Sequence, residues 1–196
     1  CSSDLGAAEL LYAICRLPGY TGAFVPAPGF SEYKAALEAS RIPVRDIYYR
    51  PREDEHGKPY FEVPYLALET FAAELKGQDG RIIVFLGNPN NPDGTLLDKN
   101  HIRTIASMLK DANSLLVIDE SFIDFVGNDT LQDNEYSMRS LVNEFDNIIV
   151  VHSFTKFYAV PGLRIGAAFS NPLIIEQLNS FIPTWSVNTL AQSYTE

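Results

Sequence analysis

Arg81-Ile82-Ile83-Val84-Phe85-Leu86-Gly87-Asn88-Pro89-Asn90-Asn91-Pro92-Asp93-Gly94-Thr95 decides the fold. It opens as an unbroken apolar run, which is how a strand buried on both faces reads. It then breaks into Asn-Pro and Asp-Gly pairs, both strong turn makers. The same grammar recurs twice downstream. Residues 114–118 form an apolar run that ends in Asp119-Glu120-Ser121-Phe122, and residues 147–151 one that ends in His152-Ser153-Phe154-Thr155-Lys156. Around these runs the 3.6-residue period predicts helices over 66–75 and 98–110. Upstream, helices are predicted over 7–16, closed by Pro18-Gly19, and over 31–40, with Ser31 as a cap residue. Strands are predicted over 23–25, stopped by Pro26 and Pro28, and over 44–49, followed by a charged surface loop over 50–59. Downstream, 163–169 reads as one more strand, and 172–181 and 187–194 as helices. Apolar runs alternating with helices predict an α/β domain: a mostly parallel sheet with helices on both faces.

The composition agrees with a packed domain. Of 196 residues, 46% are hydrophobic and 12% aromatic, which excludes disorder of the whole chain. The net charge of −10 argues against a nucleic-acid partner, which requires a basic face. No apolar run approaches the roughly 20 residues of a membrane span, and no basic segment precedes an apolar one, so neither a membrane partner nor an export signal is read. Cys1 and Cys15 make neither a disulfide framework nor a metal set, and no metal site is expected. Together these point to the cytoplasm. The chain starts without Met and stops straight after a helix, and is read as a fragment.

Ligands of parallel sheets sit beyond the carboxyl ends of the strands, so the three polar clusters should meet in one crevice. Each has an ordinary reading as well. Asn88–Thr95 can be a turn-rich loop or can offer an Asn amide to a ligand hydroxyl. Asp119 can be a solvated strand end or a carboxylate held for a buried cation. It is not the acidic strand of a nucleotide hydrolase, because no glycine-rich Gly-Lys-Ser/Thr loop accompanies it. Ser153-Phe154-Thr155-Lys156 spells the Ser-x-x-Lys of serine acyl enzymes, but their partner motifs are absent. A lone lysine is usually solvated. Among Phe154, Phe157 and Tyr158, however, the Lys156 amine can lose proton affinity and become a nucleophile. Arg164, eight residues on, can fork a phosphate. One amine, one carboxylate, one amide, one Arg and one Ser form the inventory of a pyridoxal phosphate site.

In these residues the chain resembles the fold-type I pyridoxal phosphate enzymes of the class I/II aminotransferase group. Asn90-Asn91-Pro92-Asp93-Gly94 is similar to the family's Asn-Pro-x-Gly loop, which implies that Asn91 meets the ring hydroxyl. Asp119 matches the partner of the pyridine nitrogen. Lys156 matches the imine lysine, and Ser153 and Arg164 match the phosphate ligands. Pro26-Ala27-Pro28-Gly29-Phe30 implies that Phe30 stacks on the ring, and Gly6, Ala7 and Ala8 match the helix start that receives the phosphate. Phe122 stands where most of the group has Tyr, so the ring oxygen would lose one hydrogen bond.

The resemblance is nearest to the branch that decarboxylates L-threonine O-3-phosphate to aminopropanol phosphate in cobalamin synthesis, and next to the branch that transaminates histidinol phosphate. It implies a small phosphorylated amino-acid substrate, catalysis by Lys156 and Asp119, and a homodimer. It also implies that residues 1–196 are the large cofactor-binding domain, with an amino-terminal arm and a carboxy-terminal small domain outside the chain. A catalytically silent domain of the same fold, kept for regulation or partner binding, is the competing reading; the intact Lys156, Asp119, Asn91 and Arg164 argue against it.

Overall fold

A computed structural model describes residues 2–4, 6–77, 79–127 and 134–195. In chain order the elements are β1 (Ser2–Asp4), α1 (Ala7–Ile14), β2 (Tyr20–Ala27), α2 (Ser31–Ala39), β3 (Val44–Tyr48), β4 (Arg50–Glu53), β5 (Pro59–Glu62) and α3 (Tyr65–Glu74). There follow β6 (Arg81–Gly87), α4 (Lys99–Asp111), β7 (Leu115–Asp119), β8 (Ile148–Ser153), β9 (Gly166–Phe169), α5 (Pro172–Asn179) and α6 (Thr189–Thr195).

Seven strands form one sheet in the order β1-β9-β8-β7-β6-β2-β3. The run from β8 to β3 is parallel throughout, while β9 lies antiparallel to both β8 and β1. The α/β reading is therefore right, with a mixed edge. Helices cover both faces. On one, Leu10, Leu11 and Ile14 of α1 and Leu37 of α2 pack with Ile83, Phe85, Val117 and Ile149 of the strands. On the other, Leu68 and Ala72 of α3 and Ile102, Ile105, Ala106 and Leu109 of α4 pack with Val84, Leu86, Leu116 and Val150. Side chains of β6 and β7 alternate between these two cores, which is why their sequences show no polar face. Each such Leu or Ile, fully buried, contributes about 1.5–3 kcal/mol relative to exposure.

The order of the strands creates the site. The chain runs outward from β2 to β3, returns through α3 to β6 on the other side of β2, and continues through β7 to β8. The topological switch lies between β2 and β6, where the following loops diverge and leave a crevice. Gly87 of β6 pairs with Asp119 of β7, and Asp119 with Val151 of β8, so these strands end at nearly one level. The ladder continues one step into the loops, through Asn88 N–H to Asp119 O at 2.8 Å and Glu120 N–H to Val151 O at 2.7 Å.

Some local expectations are corrected. The strand predicted over 23–25 runs from Tyr20 to Ala27, because Pro26 withholds one donor while its neighbours keep register with β3. Ser31 is the first residue of α2 rather than its cap; Phe30 holds the cap position with extended backbone and no side-chain cap bond. The expected loop over 50–59 contains β4, which forms a hairpin with β5. Asp54 Oδ1 closes its turn by accepting from the N–H groups of His56 and Lys58, each at 2.9 Å. All four β4 residues are exposed, so no apolar alternation announces the strand.

Candidate active site

Asp119 is the last residue of β7 and is buried. Its carboxylate is held on both oxygens. Ser121 donates to Oδ1 through its backbone N–H at 2.9 Å and through its hydroxyl at 2.6 Å. The Tyr33 hydroxyl donates to Oδ2 at 3.0 Å. Tyr33 comes from the first turn of α2, and its ring is stacked on Phe85 at 5.2 Å between centroids, with Phe30 edge-on at 5.6 Å. Burial, and the Asp119 carboxylate beside it, push the Tyr33 phenol well above its ordinary value, so it is a neutral donor.

Lys156 lies three residues past the end of β8. Its Nζ donates to Ser153 Oγ at 3.3 Å, and Ser153 Oγ lies 2.8 Å from Thr155 Oγ1. The same amine stands 5.7 Å from the centroid of the Phe122 ring. The residue as a whole is exposed, yet its amine is partly shielded. Desolvation holds that amine below the ordinary lysine range; Arg164 lowers it further, while Asp119 pulls the other way. A lysine of this kind keeps a larger unprotonated, nucleophilic fraction near neutral pH than a surface lysine does.

Phe30, Asn91, Asp119, Phe122 and Lys156 line one cleft together with Tyr33, Pro89 and Ser121. The loop that carries Asn91 is fastened on both sides. Asn90 donates to Pro28 O at 3.0 Å and to Asp93 Oδ2 at 2.8 Å. Asn88 donates to Glu120 Oε1 at 3.2 Å and to Tyr136 O at 2.9 Å, and its own Oδ1 accepts from Leu97 N–H at 3.1 Å. Glu120 is fully buried and also accepts from Met138 N–H and the Ser137 hydroxyl.

The remaining predicted residues gather at the start of α1. Gly6 precedes the helix with φ 119° and ψ 160°, a conformation open almost only to glycine. A Cβ built on Gly6 would come within 2.8 Å of Arg164 Nη2, and one built on Gly166 within 2.7 Å of Ala7 N. The missing side chains thus let Arg164 and the head of β9 close against the first turn of α1. Ala8 faces a larger cleft of about 570 Å³ shared with Tyr12, Arg16 and Arg164. Next to Ser153, His152 Nε2 approaches Asp124 Oδ2 to 3.1 Å at an angle that makes no hydrogen bond; His152 is buried and Asp124 half-buried.

Tyr33 and Ser121 escape sequence reasoning as partners of Asp119. Ser121 carried a local signal, since Asp-x-Ser places a hydroxyl and an N–H two residues past a carboxylate. Tyr33 carried none, because its bond to Asp119 spans 86 residues.

A desolvated amine, a clamped carboxylate, a side-chain amide and an anion cradle at a helix start make a site for an anionic, electron-withdrawing aldehyde. Pyridoxal phosphate fits the donor set and the glycine-lined cradle. The chain belongs to the family described as aminotransferase class I and II, whose sequence model matches residues 1–196. It is 34% identical over 192 residues, 97% of this chain, to the adenosylcobalamin biosynthesis bifunctional protein CobDQ of Leptospira interrogans. It is 33% identical over 175 residues, 86% of this chain, to the threonine-phosphate decarboxylase of Salmonella typhimurium. The chain spans 20% and 42% of the lengths of these two relatives. Its fold is similar to the crystal structure of the histidinol-phosphate aminotransferase of Clostridium acetobutylicum, with a TM-score of 0.79 and 22% identity, covering 98% of this chain and 51% of that one.

Proposed function

We propose that the protein carrying this chain is a pyridoxal-phosphate-dependent enzyme acting on a small phosphorylated amino acid, and that it decarboxylates L-threonine O-3-phosphate to aminopropanol phosphate. The observation that carries the cofactor reading is the convergence of Lys156, Asp119, Asn91 and Phe30 on one cleft at the switch point. The substrate reading rests on the two relatives, whose names concern adenosylcobalamin biosynthesis and threonine-phosphate decarboxylation.

In this reading Lys156 holds the aldehyde carbon, Asp119 the ring nitrogen, Asn91 the ring hydroxyl and Phe30 one ring face. Ser153, Arg164 and the backbone of Gly6, Ala7 and Ala8 hold the phosphate. When bound, the cofactor supplies an aldehyde that condenses with amines and a ring that withdraws electrons from the carbon bearing the amine. The carboxylate of Asp119, held by Ser121 and Tyr33, would face and balance a positive ring nitrogen. Lys156, with its lowered proton affinity, would carry a proton to or from the substrate carbon. Phe122 offers no hydroxyl to the ring oxygen, which leaves Asn91 as its side-chain donor. Solution as a homodimer in the cytoplasm completes the proposal.

The test is the full-length protein loaded with pyridoxal phosphate and given L-threonine O-3-phosphate and 2-oxoglutarate, with products followed by mass spectrometry. Aminopropanol phosphate with 2-oxoglutarate unconsumed is the expected result. Glutamate in step with loss of the amine would make the protein an aminotransferase, and histidinol phosphate the next donor to try. A protein that takes up no cofactor would be the silent domain.

A further inference from the structure

A carboxylate offers about four acceptor positions, two on each oxygen. At Asp119, Oδ1 receives two donors, the backbone N–H and the hydroxyl of Ser121 at 2.9 and 2.6 Å. Oδ2 receives one, the Tyr33 hydroxyl at 3.0 Å. Among the described residues no other donor reaches this side chain, so the one acceptor position left is on Oδ2. The donors are not ornamental. Tyr33 is 2% exposed, and its ring is packed against Phe85 and Phe30, which fixes the direction of its hydroxyl. Hydrogen bonds to the charged form of a carboxylate stabilise that form and weaken it as a base.

We propose that Tyr33, with Ser121, is a positioning residue that fills three of the four acceptor places of Asp119, leaving Oδ2 one place for a cationic N–H. The consequence concerns where a proton resides. A carboxylate supported by three donors leaves the proton on a heteroaromatic nitrogen; a carboxylate deprived of one is a stronger base and draws that proton toward itself. Tyr33 and Ser121 share one carboxylate, so their effects are coupled, and the double variant, which strips a donor from each oxygen, should be displaced further than either single one without equalling their sum. The inference rests on the pyridoxal phosphate reading and adds to it the control of ring-nitrogen protonation by a residue 86 positions away in sequence.

The experiment uses the full-length protein loaded with pyridoxal phosphate carrying nitrogen-15 in the ring. Tyr33→Phe keeps the stacked ring and removes only the hydroxyl; Ser121→Ala removes one donor from the other oxygen and stands in should the first variant fail to fold. The expected result is a ring-nitrogen resonance displaced toward the unprotonated form in each variant, further in the double variant. Cofactor dissociation constants should rise roughly tenfold, the equivalent of about 1.4 kcal/mol. Unfolding midpoints close to that of the unsubstituted protein would separate this effect from loss of structure. A bound cofactor whose resonance is the same in all variants overturns the positioning role and leaves the cofactor reading intact. An unsubstituted protein that gives no bound resonance overturns both.

Discussion

The guanidinium of Arg164 occupies the space that a side chain on Gly6 would need: a Cβ there would stand 2.8 Å from Nη2. Both backbones are unusual at this contact. Arg164 is left-handed, with φ 51°, and Gly6 has φ 119°. Gly6→Ala should therefore cost about 1–3 kcal/mol in backbone strain alone. Because the same methyl displaces Arg164, the affinity for pyridoxal phosphate should fall about tenfold or more, while that for phosphate-free pyridoxal changes little. Denaturant titration and paired binding isotherms check the two parts. Equal losses for both ligands would remove the anion cradle from this corner.

The proton affinity of Lys156 is set by opposed neighbours, and the signs can be separated. Desolvation and Arg164 lower it; Asp119 raises it. Competitive amine labelling against pH should place the Lys156 midpoint below the ordinary lysine range. Asp119→Asn removes the supporting anion and should shift the midpoint down further. Arg164→Gln removes a repelling cation and should shift it up. Shifts of the same sign in both variants would mean that the electrostatic coupling is not the controlling factor.

Much of this architecture was legible because strand burial and strand ends write themselves into adjacent residues. Val84 and Phe85 go into opposite cores, and the apolar run shows it. Asp119 and Lys156 follow such runs directly, and with Phe30, Asn91 and Phe122 they line one cleft, whereas Ala8 and Arg164 line another. What was not legible is non-local or lacks an apolar face. Strand β4 is exposed along its whole length, with Arg52 paired to Glu62 of β5 at 2.9 Å, so no periodicity marks it. The edge strand β1 is three residues long and pairs with β9, over 160 residues away. The Tyr33–Asp119 bond joins two elements whose neighbourhood exists only once β2, β6 and β7 are side by side.

Helix α4 depends on its start. Asp98 Oδ1 accepts from the N–H groups of Asn100 and His101 at 2.9 and 3.0 Å, satisfying two donors that the helix cannot. Asp98→Ala should cost about 1 kcal/mol, within the 0.5–2 kcal/mol range of lost caps, and Asp98→Asn much less. Thermal melts of the two variants decide it. A loss as large for Asn as for Ala would show that charge, rather than the cap bond, matters at this helix end.

Glu120 joins the loop of Asn88 to the segment of Ser137 and Met138, and its carboxyl is fully buried. Burial raises its proton affinity above the ordinary carboxylate value; the donors from Met138, Ser137 and Asn88 and the charge of Arg139 restrain that rise. The native state thus keeps the Glu120 proton to a higher pH than the unfolded chain does. Its contribution to stability is intact below the unfolded value and is lost as pH climbs through the native one. Ser137→Ala removes the hydroxyl that donates to Oε2 at 2.7 Å and should raise the native value further. Above the native value this leaves a buried charge with one donor fewer, a loss of about 1–3 kcal/mol. Toward pH 4 the carboxyl takes up its proton in both proteins, and the difference between them should shrink. Urea unfolding of the two proteins across that range measures it. A loss that stays constant with pH would assign Ser137 to packing or to its contact with Arg139 instead.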